Sequence, residues 1–409
     1  MGELKAGVAK VDITPAAACW MEGYASRRKD GPQSTGVHDR LHARVLVVEG
    51  ESGRAAIVSC DLCNLDPQTV DEVRELVCEP LTLAPERLMV VTTHNHAGPV
   101  TEYPHNGAPK TDVEWLAALP HRIACALARA AAGLRPARLG IVRGESHIGL
   151  NRQQMFDDGM VNLGKAPENP TDTEIIVACF DTPAGEPIAR LVNFGCHNTS
   201  LGPRNSLISA DYAGRAMSAI EDRLGGGAIC TFINGGAGNV DPMHRVLGDA
   251  ADPRVQEVAD AFTTDVTEAL GGEAAPVAGA RVAGRFRDIA LPRKTAGMEA
   301  GLGRFKRIRA QALRIGSLVV VGSPNEIVCE IAMNIKEQSP AAHTMVAAYC
   351  YNAIGAWHPG RDGVGGYIPT AAHYEDGGYE VRVSPYAPDA EVVFTREMVE
   401  LADAMTEGS

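Results

Sequence analysis

Short apolar runs rich in Val and Ile recur along the chain, separated by longer stretches whose apolar residues repeat at helical spacing. Runs this short and unbroken fit strands buried on both faces rather than strands with one wet side. They predict strands at 43–48, 56–59, 88–92, 137–142, 175–180, 189–194, 228–233 and 318–321. The helical patterns predict helices at 69–77, 113–132, 212–223, 253–270, 327–336 and 396–405. Such alternation implies an α/β fold with a mixed, largely buried β-sheet core flanked by helices. The segment 277–291 reads as an antiparallel excursion, and with no internal repeat or low-complexity tract a single domain spanning 1–409 is expected.

The balance of charge narrows the partners. With 38 basic against 51 acidic residues, a net charge of −13 leaves no basic footprint for nucleic acid or an anionic membrane. A small-molecule substrate is expected, with no nucleic acid and no membrane as partner, and a homo-oligomer is possible. The first residues, MGELKAGVAKVDITP, contain no apolar core of signal-peptide length. No later stretch approaches the roughly 18 apolar residues of a membrane span. Ala6 also breaks the pattern that would mark Gly2 for myristoylation. A cytoplasmic location follows, so the ten cysteines read as reduced core thiols, with Cys60, Cys125, Cys179, Cys230 and Cys350 in apolar runs. Cys60 and Cys63 form one CxxC pair, which without a second pair is weak evidence for metal or redox chemistry.

Four of the strand-like runs end in polar residues of metal-binding or hydrogen-bonding type. LMVVTT leads into His94 and His96, ARLVNFGC into His197, ICTFIN ends at Asn234 and continues to Asp241, and SLVVVGSPN leads into Glu326. In open α/β sheets the ligand crevice lies beyond the carboxyl ends of the strands. These groups would meet at one rim if the strands are parallel neighbours. Two histidines and a carboxylate form a mixed N/O set that suits zinc or another divalent transition metal. His94 and His96 alternate along an extended segment, so both would face one site with Asn95 turned away. A late segment, GYIPTAAHYEDGGYE, carries Tyr367, Tyr374 and Tyr379. It is either aromatic turn packing or a source of phenols beside a cation. Gly- and Pro-rich stretches at 26–37, 166–171 and 358–378 read as functional loops.

Taken in order, VDITP, VVTTHNHAGP, LNR, LVNFGCH, ISADYAGRA, FINGGAGNVDP, NEIVCEI and GYIPT followed by two YE pairs span residues 7 to 380. This ordered set resembles the catalytic domain of the neutral/alkaline ceramidases. The resemblance implies that family's catalytic-domain fold and one zinc ion per chain, held by His94, His197, Glu326 and Tyr367. It also implies roles for His96, for Arg152 at the substrate and for Tyr379, which stands twelve residues beyond Tyr367. Glu330, one helical turn from Glu326, is the rival ligand. Asp241 stands where the family has its active-site serine, which excludes a serine nucleophile at that position and leaves a metal-activated water. Asn325 replaces a usual glycine. No immunoglobulin-like C-terminal domain is expected after Tyr379.

The expected activity is hydrolysis of an N-acyl amide, with a small or polar substrate in place of ceramide. His96 and Asp241 are the candidate acid/base pair, and Tyr379 with His96 would stabilise the developing oxyanion. His38 and Asn234 are candidate substrate contacts, and Asp211 a helix cap. The alternatives are a biosynthetic enzyme using the same centre on an ester, a lactone or an amide-forming cyclisation, and a non-catalytic metal-binding protein.

Overall fold

The structure, a computed structural model, describes residues 3–27, 31–104, 110–350 and 365–406. Parts of the expected loops at 26–37 and 358–378, and Gly2, lie outside the described residues.

The larger sheet has nine strands. Its main path runs from Ile229–Asn234 through Pro187–Phe194, Glu174–Asp181, Arg135–Glu145, Leu4–Asp12, His42–Gly50 and Gly53–Cys60 to Leu88–Thr92. Most neighbours are antiparallel, but the pairs at the two ends of the path are parallel. The sheet is therefore mixed, as expected. It also curls until its ends meet: Ile229–Asn234 packs on Gly53–Cys60 and Leu88–Thr92, and the Ser59 hydroxyl donates to the Phe232 carbonyl at 2.6 Å. Both end strands are buried along their whole length, which is why their sequences are unbroken apolar runs.

Helices close the outer faces. Val113–Ala132 lies against Leu4–Asp12 and His42–Gly50 and packs on Pro67–Val77, while Asp211–Leu224 pairs with Pro253–Leu270 on the other side. Their starts are legible in the sequence. Asp66, Asp112 and Asp252 each accept a backbone N–H of the first turn, and Pro67 and Pro253 occupy first-turn positions that need no donor.

A second sheet was only partly expected. Its strands are Val282–Pro292, Phe305–Ile315, Leu318–Gly322 and His343–Ala347, with the helix Ala390–Thr406 packed on them. The strand Phe305–Ile315 escaped the apolar pattern because FKRIRAQALRI carries basic residues along its length. The antiparallel excursion at 277–291 is real, and it is the first strand of this sheet. The sheet docks at the curl. The Asn193 amide donates to the carbonyls of both Ile233 and Val346, and Ala348 N–H donates to Asn234 O. The carboxyl ends of strands from both sheets therefore open into one place.

None of the ten cysteines forms a disulfide. Eight are buried, but Cys125 is exposed on the outer face of its helix rather than in the core.

Candidate metal centre

His94 lies just beyond the strand Leu88–Thr92 and leaves it in the left-handed region, at φ +58°. The segment is therefore not extended as expected. His94 and His96 still face the same site, with their ring centroids 4.6 Å apart, and Asn95 turns away to donate to Asp61 O and Ser209 O. Strained backbone of this kind persists where the surroundings hold it, commonly at functional sites. The Nδ1 of His94 meets the Cys63 carbonyl at 3.1 Å. His197, after the strand Pro187–Phe194, places its Nδ1 on the Ala237 carbonyl at 2.5 Å.

An imidazole can offer a carbonyl only an N–H. Both rings therefore spend their proton on backbone, and their Nε2 atoms are left with lone pairs. Those lone pairs face the same carboxylate oxygen: Glu326 Oε2 lies 3.2 Å from His94 Nε2 and 3.6 Å from His197 Nε2. Glu326 is the register partner of Tyr367 across a short parallel bridge, which brings the Tyr367 hydroxyl to 3.5 Å from His197 Nε2. All four side chains are buried.

With both ring protons on backbone carbonyls, a cation between the Nε2 atoms and the carboxylate satisfies all of these acceptors at once. Among the described residues Glu326 Oε2 is buried without a hydrogen-bond partner, a costly state for a carboxylate. The spacing also suits zinc, whose bonds of about 2.0–2.1 Å at tetrahedral angles separate ligand atoms by roughly 3.4 Å. Ring N–H groups anchored on backbone carbonyls are the usual support of metal-bound histidines.

A second grouping, Cys63 with His94 and His96, also lies close enough to hold an ion. It is the poorer choice. Cys63 Sγ lies 3.7 Å from His94 Nδ1, the nitrogen already bonded to the Cys63 carbonyl.

Around the centre, His96 keeps its expected place, with Nε2 at 3.1 Å from His94 Nε2 and a buried Nδ1 that has no partner. Burial, then the rings of His94 and His197, push its pKa well below the usual imidazole value, so it is neutral. Tyr379 packs edge-on to Tyr367 with ring centroids 5.7 Å apart. Burial and then the Glu326 carboxylate raise its phenol to about 12, which keeps it a donor.

Other expected site residues sit differently. Arg152, expected at the substrate, sits as a buried hub. It donates to Glu380 (2.8 Å), Asp241 (3.1 Å), the Gly238 carbonyl (2.7 Å) and the Tyr367 hydroxyl (3.0 Å). Burial and the Glu326 carboxylate raise the Tyr367 phenol well above its usual pKa, and Arg152 opposes them. Asp241 is not a proton donor. Arg152 holds one of its oxygens and Arg245 the other, at 2.6 Å. Burial raises its pKa, but Arg152, His197 and Arg245 more than reverse this, and it stays ionised. Asn234 is a clamp rather than a substrate contact. Wholly buried, it donates to the Thr93 carbonyl at 3.2 Å and accepts from Cys196 N–H at 3.3 Å. It thus ties together the residues just before His94 and His197. His38 is exposed and pairs with Asp39 and Arg215, away from the cluster. Glu330 accepts from Asn239 at 2.9 Å and faces His373 in a neighbouring cleft of about 240 Å³, so it does not compete with Glu326. Asp211, expected as a cap, begins its helix and binds the N–H groups of Ser200, Leu201 and Tyr212. Asn325, at the place of the usual glycine, bonds Gly366 O and the Tyr386 hydroxyl.

The family model described as neutral/alkaline non-lysosomal ceramidase, N-terminal, matches residues 4–280. The chain belongs to this family. Neutral ceramidase A of Dictyostelium discoideum is 28% identical over 262 residues, covering 58% of this chain and 36% of that protein. The neutral ceramidase of Pseudomonas aeruginosa is 29% identical over 249 residues, with the same two coverages. The chain thus spans about a third of the length of these ceramidases. The crystal structure of the P. aeruginosa ceramidase superposes with a TM-score of 0.80 at 20% identity, over 98% of this chain and 74% of that one. This establishes the ceramidase fold beyond residue 280, where Glu326, Tyr367 and Tyr379 lie.

Two contributors escaped sequence reasoning. Glu380, which anchors Arg152, could have been suspected as an acid beside Tyr379 in a Gly-rich turn. Tyr349 stacks on His94 and had no signal, being one aromatic in an apolar run.

Proposed function

We propose that this chain is a hydrolase that cleaves a linear N-acyl amide at one zinc ion, and that its substrate is a small or polar amide rather than ceramide. The observation that carries the reading is the convergence of His94, His197, Glu326 and Tyr367, with both imidazole N–H groups already committed to backbone. Zinc bound there supplies Lewis-acid polarisation of a carbonyl and a water acidic enough to ionise near neutral pH.

The chain's own groups do the rest. With Asp241 locked between two arginines, proton transfer falls to His96. Its neutral imidazole, whose Nε2 faces the centre, can take a proton from the attacking water and return it to the leaving amine. The Tyr379 phenol stays protonated and donates to the oxyanion that forms. Arg152 holds Tyr367, Asp241 and Glu380 in register, so the centre does not reorganise during the reaction. The ionic wall of Asp241 and Arg245, at the family's serine position, supports a polar substrate. The absence of disulfides among mostly buried thiols supports a cytoplasmic enzyme.

The test is a panel of N-acyl amides and matched esters, run on zinc-loaded protein and on H94A and E326A. The reading requires zinc-dependent amide cleavage that both variants lose. Amide turnover unaffected by chelation, or retained in both variants, overturns it.

A further inference from the structure

Tyr349 takes no part in the reaction described above, yet it is held at the centre by three separate ties. It follows the strand His343–Ala347 at φ +54°, a backbone conformation that bulky residues rarely adopt. Its carbonyl accepts from Thr92 N–H at 3.2 Å and its N–H donates to Asn325 O at 3.5 Å. One side of it is thereby fixed to the segment that delivers His94, the other to the segment that delivers Glu326. Its ring, 1% exposed, lies flat on His94, with centroids 3.9 Å apart and planes within 13°. Its hydroxyl makes no hydrogen bond among the described residues. What Tyr349 offers is therefore the face of its ring and its strained backbone, not its polar group.

Building on the metal-centre reading, we propose that Tyr349 is a positioning residue that fixes the imidazole plane of His94 for metal binding by stacking. The Nδ1–H bond to Cys63 O holds the His94 ring at one edge but leaves rotation about that bond open. The stacked phenol blocks this motion and keeps Nε2 aimed at Glu326 and His197. Supports of this kind typically change metal affinity by about 10–100-fold when removed.

The experiment measures zinc affinity of the full chain by competition with a chromophoric chelator, alongside the melting temperature of the metal-free protein. Tyr349→Phe keeps the ring and is expected to bind zinc within about threefold of wild type. Tyr349→Leu removes the flat face and is expected to bind at least tenfold more weakly. Tyr349→Met, which fills the volume without a flat face, replaces leucine if that variant does not fold. The cobalt-substituted phenylalanine variant should keep the wild-type visible spectrum, and the leucine or methionine variant should shift it. Wild-type affinity in the leucine or methionine variant overturns the inference, as does a phenylalanine variant that falls as far as they do. Wild-type protein that binds no zinc overturns the metal-centre reading itself.

Discussion

Replacing Arg152 with methionine separates a structural hub from a substrate-binding arginine. The guanidinium is 4% exposed and bridges two carboxylates, Asp241 and Glu380, that are equally buried. Removing it strands both charges, although Arg245 still holds Asp241. Breaking a buried ion pair from one side costs about 3–5 kcal/mol, and the lost bonds to Gly238 O and the Tyr367 hydroxyl add to that figure. At about 2.1 cal/mol/K of unfolding entropy per residue, a chain of 409 residues loses roughly 5 °C of melting temperature for 4 kcal/mol. Calorimetry on metal-free R152M should show this loss, and R152M/D241N should recover part of it, because one stranded charge is gone. The coupling should reach about 1–3 kcal/mol. An R152M protein with wild-type melting temperature and a raised KM alone would refute the hub and restore Arg152 as a substrate contact.

Three further outcomes follow from the same geometry. N234A leaves the Thr93 carbonyl and Cys196 N–H without their clamp, so zinc affinity should fall about 10–100-fold with no ligand touched; chelator competition checks this. Y379F should lower kcat by about 10²–10³ with little change in melting temperature, because steady-state kinetics alone feels the lost donor. The depressed pKa of Asp241 contributes stability above the usual aspartate value of about 3.9. That contribution disappears as pH falls through the lower folded-state value. Melting curves from pH 6 down to about 3 should therefore be steeper for wild type than for D241N.

The fold was legible wherever burial wrote an unbroken apolar run. The strand Leu88–Thr92 and the helices Val113–Ala132 and Pro253–Leu270 carry their bounds in their patterns and caps. Phe305–Ile315 hid because its basic residues interrupt the run. His94 and His197 were legible as metal-binding types after strands, but not the way they meet. Their strands are not neighbours in the sheet; the curl joins them, and long-range closure leaves no local mark. That Arg152 and Asp241 satisfy each other is not legible in the sequence, since only the folded chain brings them together. Asn234 failed for the same reason, and His38 because nothing in GVHDR records that it faces solvent.

The most direct measurement is zinc-edge X-ray absorption on the purified, zinc-loaded chain. One zinc per chain with only nitrogen and oxygen neighbours near 2.0 Å, and the scattering pattern of two imidazoles, is the expected result. A sulfur neighbour near 2.3 Å would move the ion to Cys63, and a chain that takes up no zinc would leave the four converging side chains without their purpose.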